Sequence, residues 1–124
     1  MKFALLVYVD ESIINQLPEG EGDAMMRNCL QHADEMQGKG RLIDFQQLEL
    51  PATAKSVRIR NKNVRVIDGP FAETKEILGG FNLIEAENME EALRIAAEIP
   101  WAQTGCIEVR PVRDIAMVRK HVGL

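Results

Sequence analysis

Two β-α-β units separated by a basic hairpin predict an α+β fold of the ferredoxin-like, split β-α-β kind, with the hairpin as an insertion. Three observations carry this expectation. Apolar strand-like runs and helix-period stretches follow one another as strand, helix, strand, hairpin, strand, helix, strand. Each helical stretch shows a single apolar face, and the ferredoxin-like plan puts both helices on one side of one antiparallel sheet. The first and last strands carry apolar residues at both alternating positions, more than one helical layer buries, so a second subunit is expected to cover the remaining face.

Residues 2–9, Lys-Phe-Ala-Leu-Leu-Val-Tyr-Val, read as a nearly continuous apolar strand, central in its sheet. A lysine before an apolar run also opens signal peptides. Here Asp10-Glu11 stands where a small-residue cleavage site belongs, so the run reads as a strand and the protein as cytoplasmic. Residues 10–22 form an acid-rich loop containing Pro18, Gly20 and Gly22. Asp23 is positioned to cap the next helix, whose apolar face is Met26, Cys29, Leu30, Ala33 and Met36, and which Gly38 and Gly40 end. Residues 41–48 are the second strand and residues 50–54 a connector.

Residues 56–60 and 64–67 alternate valine or isoleucine with arginine around Asn61-Lys62-Asn63, which predicts a hairpin with one face exposed. Lys55, Arg58, Arg60, Lys62 and Arg65 make it the basic cluster of an acidic chain. Asp68-Gly69-Pro70 breaks the strand, and residues 80–86 form the next one. Asn88 caps the second helix with Glu91 three residues on, an N-x-x-E box. Ala92, Leu93, Ile95, Ala96 and Ile99 supply its buried face, Pro100 stops it, and Trp101 anchors the loop beyond. Residues 105–112 are the last strand, with Ile107 and Val109 on one face. Residues 113–122 read as a terminal helix. The whole is expected to be one domain, residues 1–124, with 113–124 as a tail.

At 124 residues, 46% hydrophobic and 27% charged, the chain has the makings of one globular domain. Its net charge of −4 argues against direct binding to nucleic acid, which requires a basic footprint. No apolar run approaches the roughly 20 residues that span a bilayer, so no membrane partner is expected. Cys29 and Cys106 are too few for a disulfide framework and lack metal-ligand spacing. No glycine-rich phosphate loop precedes a helix. Neither a metal nor a cofactor is therefore expected.

The run Asp68-Gly69-Pro70-Phe71-Ala72-Glu73-Thr74-Lys75-Glu76, followed by Leu78-Gly79-Gly80-Phe81, resembles the signature of the DGPF-domain branch of the YCII-related superfamily. Pro51-Ala52-Thr53-Ala54 with Val57-Arg58 upstream, and Glu108-Val109-Arg110-Pro111-Val112 downstream, extend the resemblance over residues 2–112. It implies a homodimer of the dimeric α/β-barrel type, and Val109 is the residue whose replacement by lysine tests that interface. It also implies a histidine on the first helix working with an aspartate as an acid/base pair. That position falls on Cys29, with His32 one turn further along. Either a thiol replaces the imidazole or the register shifts.

Asp68 ends a strand and opens a turn. It is a candidate acid/base if the turn aims it into a cleft, and an Asx-turn acceptor otherwise. Cys29 and His32 join it as catalytic candidates, against the plainer readings of a core thiol and a helix-flank side chain. Phe71, Glu73, Thr74 and Lys75 are candidates to line a ligand pocket on a loop, with Glu73 and Lys75 otherwise an exposed ion pair. Arg58 and Arg65 are placed to receive an anion, or to guard a strand edge with charge. Two functions follow. One is binding of a small polar molecule, with lyase- or isomerase-type acid/base chemistry. The other, implied by the DGPF resemblance, is a non-enzymatic partner in sigma-factor-dependent transcription. Enclosure of Asp68 favours the first; a solvated Asp68 on a flat basic hairpin favours the second.

Overall fold

The computed structural model describes residues 1–69 and 75–124. It is a mixed α+β structure with four α-helices and antiparallel strands. In chain order the elements are β1 (Lys2–Asp10), α1 (Glu11–Asn15), α2 (Glu21–Gly38), β2 (Leu42–Gln47), β3 (Lys55–Arg60), β4 (Asn63–Asp68), β5 (Glu76–Glu85), α3 (Met89–Ala97), β6 (Gly105–Pro111) and α4 (Ile115–His121). The main sheet runs β2-β5-β1-β6, with every pairing antiparallel. β3 and β4 form a separate two-stranded sheet.

Alternation along β1 divides the main sheet into two unlike faces. Phe3, Leu5 and Val7 are buried and share a core with Cys29, Ala33 and Met36 of α2, with Ala92, Ile95 and Ala96 of α3, and with Ile84 of β5. Val109 and Ile107, opposite Leu5 and Val7, pack against the same core. Residues on the other face, Ala4, Leu6 and Tyr8 with Leu83 and Phe81 as neighbours on β5, are only half-buried and lie outside the core cluster. Two glycines let the strands lie close. A Cβ on Gly105 would stand 2.0 Å from the Tyr8 carbonyl oxygen, and one on Gly80 would stand 2.5 Å from that of Gln46.

The structure departs from the sequence expectations at several points, each with a local cause. Residues 10–22 are not all loop. Asp10 caps α1, accepting from the Ser12 backbone N–H. α2 starts at Glu21 behind Gly20 and has no side-chain cap, so Asp23 sits in its first turn instead of capping it. β5 begins at Glu76 rather than at residue 80, because Ile77 and Leu78 already pair with Val9 and Tyr8. The Asn88 cap forms with the Glu91 N–H, but the Glu91 carboxylate accepts from Arg41 across the fold instead of closing the box. Leu30 and Leu93 are exposed.

Val109 lies on the helix side of the sheet, so it does not mark the face open to a partner. The hairpin, closed by Asn61 (φ 51°) and Lys62 (φ 66°), is exposed on both faces rather than on one. Its half-buried residues are Ser56 and Arg58, and its valines and the isoleucine of β3 face solvent. Among the described residues, no helix is long and apolar enough to cross a membrane.

Candidate functional site

The helix-side face of the sheet is not filled to its end. Beyond Val7 and Val9 a cavity of about 200 Å³ opens between α2, the Trp101 turn and the ends of β2 and β5. Met26 and Cys29 of α2, Phe45 and Trp101 belong to its apolar wall, and residues 48–50 line it as well. Pro100 starts a short 3₁₀ turn, Pro100–Ala102, that swings Trp101 back into the core, as the sequence led one to expect.

Three carboxamides, Gln46, Gln47 and Asn82, and the acid Glu49 interrupt this apolar lining. Asn82 pairs with Leu5 on one side and Phe45 on the other, which sets it on the helix-side face among hydrophobic neighbours. Its side-chain amide has no hydrogen-bond partner among the described residues. Among the described residues, the Gln47 Nε2 donates only to the Met26 thioether sulfur, 3.3 Å away and a weak acceptor. A half-buried amide without a partner on an apolar wall is a ready hydrogen-bonding group for whatever occupies the space. Neither residue was singled out from the sequence. The signal available was an asparagine standing at an inward position of an otherwise apolar strand.

The sequence-predicted residues are not brought together. Cys29 is buried on the cavity wall. Burial pushes its thiol pKa up, with the Trp101 indole acting against that. His32 faces away toward α3, its Nε2 2.8 Å from a carboxylate oxygen of Glu98. Asp68 ends the hairpin with its side chain 88% exposed, and its Oδ1 accepts from the Lys55 ammonium at 2.8 Å. It lies neither in a cleft nor beside Cys29 or His32. Arg58 and Arg65 are direct cross-strand neighbours on the hairpin, apart from the cavity. Phe71, Glu73 and Thr74 lie outside the described residues. Lys75, just beyond them, stands 3.9 Å from Asp10 rather than over the cavity.

A second, shallower cleft lies on the open face at the same end of the sheet, between Tyr8, Asp10, Lys75, Glu76, Cys106 and Glu108. Asp10 is its buried member. The Ser12 hydroxyl, donating at 2.6 Å, holds the Asp10 carboxyl below its ordinary value of 3.8, against the opposing effect of burial, and Lys75 adds to the lowering. This is a helix cap with its charge satisfied, a structural role. Among the described residues, no three His, Cys, Asp or Glu side chains are grouped to hold a metal ion.

Fold and site together define a small α+β protein with a preformed, mostly apolar cavity under its longest helix. The chain belongs to the YCII-related family, whose domain pattern matches residues 1–116. An uncharacterized protein of Rhizobium meliloti (strain 1021) is 36% identical over 114 residues, covering 90% of this chain and 92% of that one. Among solved structures, the 5-chloro-2-hydroxyhydroquinone dehydrochlorinase TftG from Burkholderia phenoliruptrix AC1100, in complex with 2,5-dihydroxybenzoquinone, is 14% identical. The alignment covers 91% of this chain and 94% of that one with a TM-score of 0.46, a likeness too loose to carry a statement about this chain.

Proposed function

We propose that the protein is a homodimer that binds a small ring compound bearing one or two polar groups in the cavity under α2. The observation that carries this reading is the unpartnered Asn82 amide on the wall of that cavity. Size supports it: an apolar cavity of about 150 Å³ already accepts benzene, and this one has about 200 Å³. Chemistry supports it too, since hydrophobic walls with a few placed polar groups are what small-molecule sites use.

The dimer is supported by the open sheet face of Ala4, Leu6, Tyr8, Phe81 and Leu83, which a second sheet would cover. The β1-α2-β2-β5-α3-β6 order, with strands arranged β2-β5-β1-β6, fits a ferredoxin-like protomer of a dimeric α/β barrel. The Asp68-Gly69-Pro70-Phe71 run supports the DGPF branch, and two free cysteines fit a cytoplasmic setting. A lyase- or isomerase-type proton transfer is not part of this reading. Burial drives the Cys29 thiol away from the near-neutral range in which a general base works best. A second reading, a non-enzymatic partner in transcription regulation, is favoured by one observation, the solvated Asp68.

Trp101 is the chain's one tryptophan and lies on the cavity wall, so its emission reports occupancy. Titration with phenol, catechol and benzoquinone is expected to give a saturable change in that emission with at least one of them. Emission that stays flat or changes only linearly with all three would overturn the reading.

A further inference from the structure

The lining of the cavity under α2 carries charge of one sign. Among the described residues, no lysine, arginine or histidine lines it, and Glu49 is its one charged side chain. Residues 70–74, Pro-Phe-Ala-Glu-Thr, hold no base that could add a cation. The Glu49 carboxylate makes no hydrogen bond or ion pair among the described residues. Its place along the cavity also matters. Val7, Cys29 and Ile99 on the lining are buried, while residues 46–50 are exposed, so the cavity opens to water at the end of β2, where Glu49 stands.

This arrangement treats the two charged kinds of ring compound differently. A ring carboxylate meets a wall that offers it no cation, and burying a charge without a partner is costly. At the mouth it meets the like charge of Glu49. An ammonium on a short arm keeps its water at the exposed end and stands beside that carboxylate, while its ring lies inside against Phe45 and Trp101. The Asn82 amide stays available to a polar group on the ring itself. We propose that the cavity selects its ligand by charge: it takes a ring compound whose arm ends in an ammonium, ring inward and ammonium at Glu49, and turns away the matching carboxylate. The inference rests on the cavity reading above and adds to it the chemical class of the ligand.

The test titrates the full chain at neutral pH with benzylamine, benzyl alcohol and benzoate, probes that share a ring and differ in charge, and follows Trp101 emission. Benzylamine is expected to bind about two- to fivefold more tightly than benzyl alcohol, the range of an exposed ion pair. Benzoate is expected to bind about tenfold or more weakly than the alcohol. Added salt is expected to narrow the gap between amine and alcohol. Glu49→Gln alters an exposed, unpaired side chain, so the variant is expected to bind benzyl alcohol as the wild type does and to lose the preference for the amine. An amine that binds no more tightly than the alcohol, a preference that survives in Glu49→Gln, or benzoate that matches the alcohol would overturn the selection by charge and leave the cavity reading standing. A saturable response to none of the three would remove both.

Discussion

Replacing Asn82 with leucine is expected to move stability and binding in opposite directions. Asn82 stands on the helix-side face between Leu5 and Phe45, its amide open to the cavity and without a partner among the described residues. A fully buried polar group left unpaired costs about 1–3 kcal/mol, and a half-buried one falls at the low end. Leucine has a similar size and removes that cost, so the free protein gains about 1 kcal/mol. A ligand that hydrogen-bonds to the amide loses one bond, also worth about 1 kcal/mol, or roughly fivefold in affinity. Urea unfolding of the free protein reads the first effect as a higher midpoint at unchanged slope. Titration followed by Trp101 emission reads the second. A variant that is destabilised would show that the amide is satisfied in the free protein. Unchanged affinity for every ring compound would show that it plays no part in binding.

Further expectations follow from single contacts. Asn88→Ala removes the cap on the Glu91 N–H and is expected to cost about 1 kcal/mol in urea unfolding; no change would mean that the α3 terminus is held by other contacts. Thr104→Val removes a buried hydroxyl with no partner among the described residues and is expected to stabilise by about 1 kcal/mol, a gain that a satisfied hydroxyl would not give. Gly80→Ala is expected to lower the melting temperature, because its Cβ meets the Gln46 carbonyl oxygen at 2.5 Å; an unchanged melting temperature would show that β2 shifts freely. Asp10 has a lowered native pKa, so its contribution is complete above the ordinary value of 3.8 and is lost as pH falls through the native value. Ser12→Ala removes the main cause, so wild type and variant should differ in stability at neutral pH and converge in acid. A difference that persists unchanged into acid would contradict this assignment.

Much of the scaffold was legible because it follows from periodicity. The apolar run of β1, the i, i+3, i+4, i+7 stripe of α2 and the Asn88 cap are local signals, and each gave the element observed. Trp101 after Pro100 was readable for the same reason. Which way the faces point was less legible. Val109 and the hairpin valines alternate with polar residues in the same way, yet Val109 is turned toward the helices and the valines toward solvent. Alternation fixes that two faces differ, not which one meets the rest of the chain.

The site was the least legible part. Asp68 drew attention because turns at strand ends often carry function, whereas its carboxylate sits 2.8 Å from Lys55 in open solvent. The cavity instead arises where α2, β2, β5 and the Trp101 turn leave space between them, a property of long-range packing. Only Asn82, a lone amide at an inward position, carried a local trace of it.

The account's central claim is that ligand enters beneath α2 rather than beside the Asp68 turn. The direct test is a map of backbone and side-chain chemical shifts in isotopically labelled protein titrated with the ring compound that changes Trp101 emission most. The predicted result is that Cys29, Gln47, Asn82 and the Trp101 indole N–H move together and saturate, while residues 55–68 stay in place. Shifts confined to Asp68, Arg58 and Arg65, with the cavity residues unmoved, would contradict it.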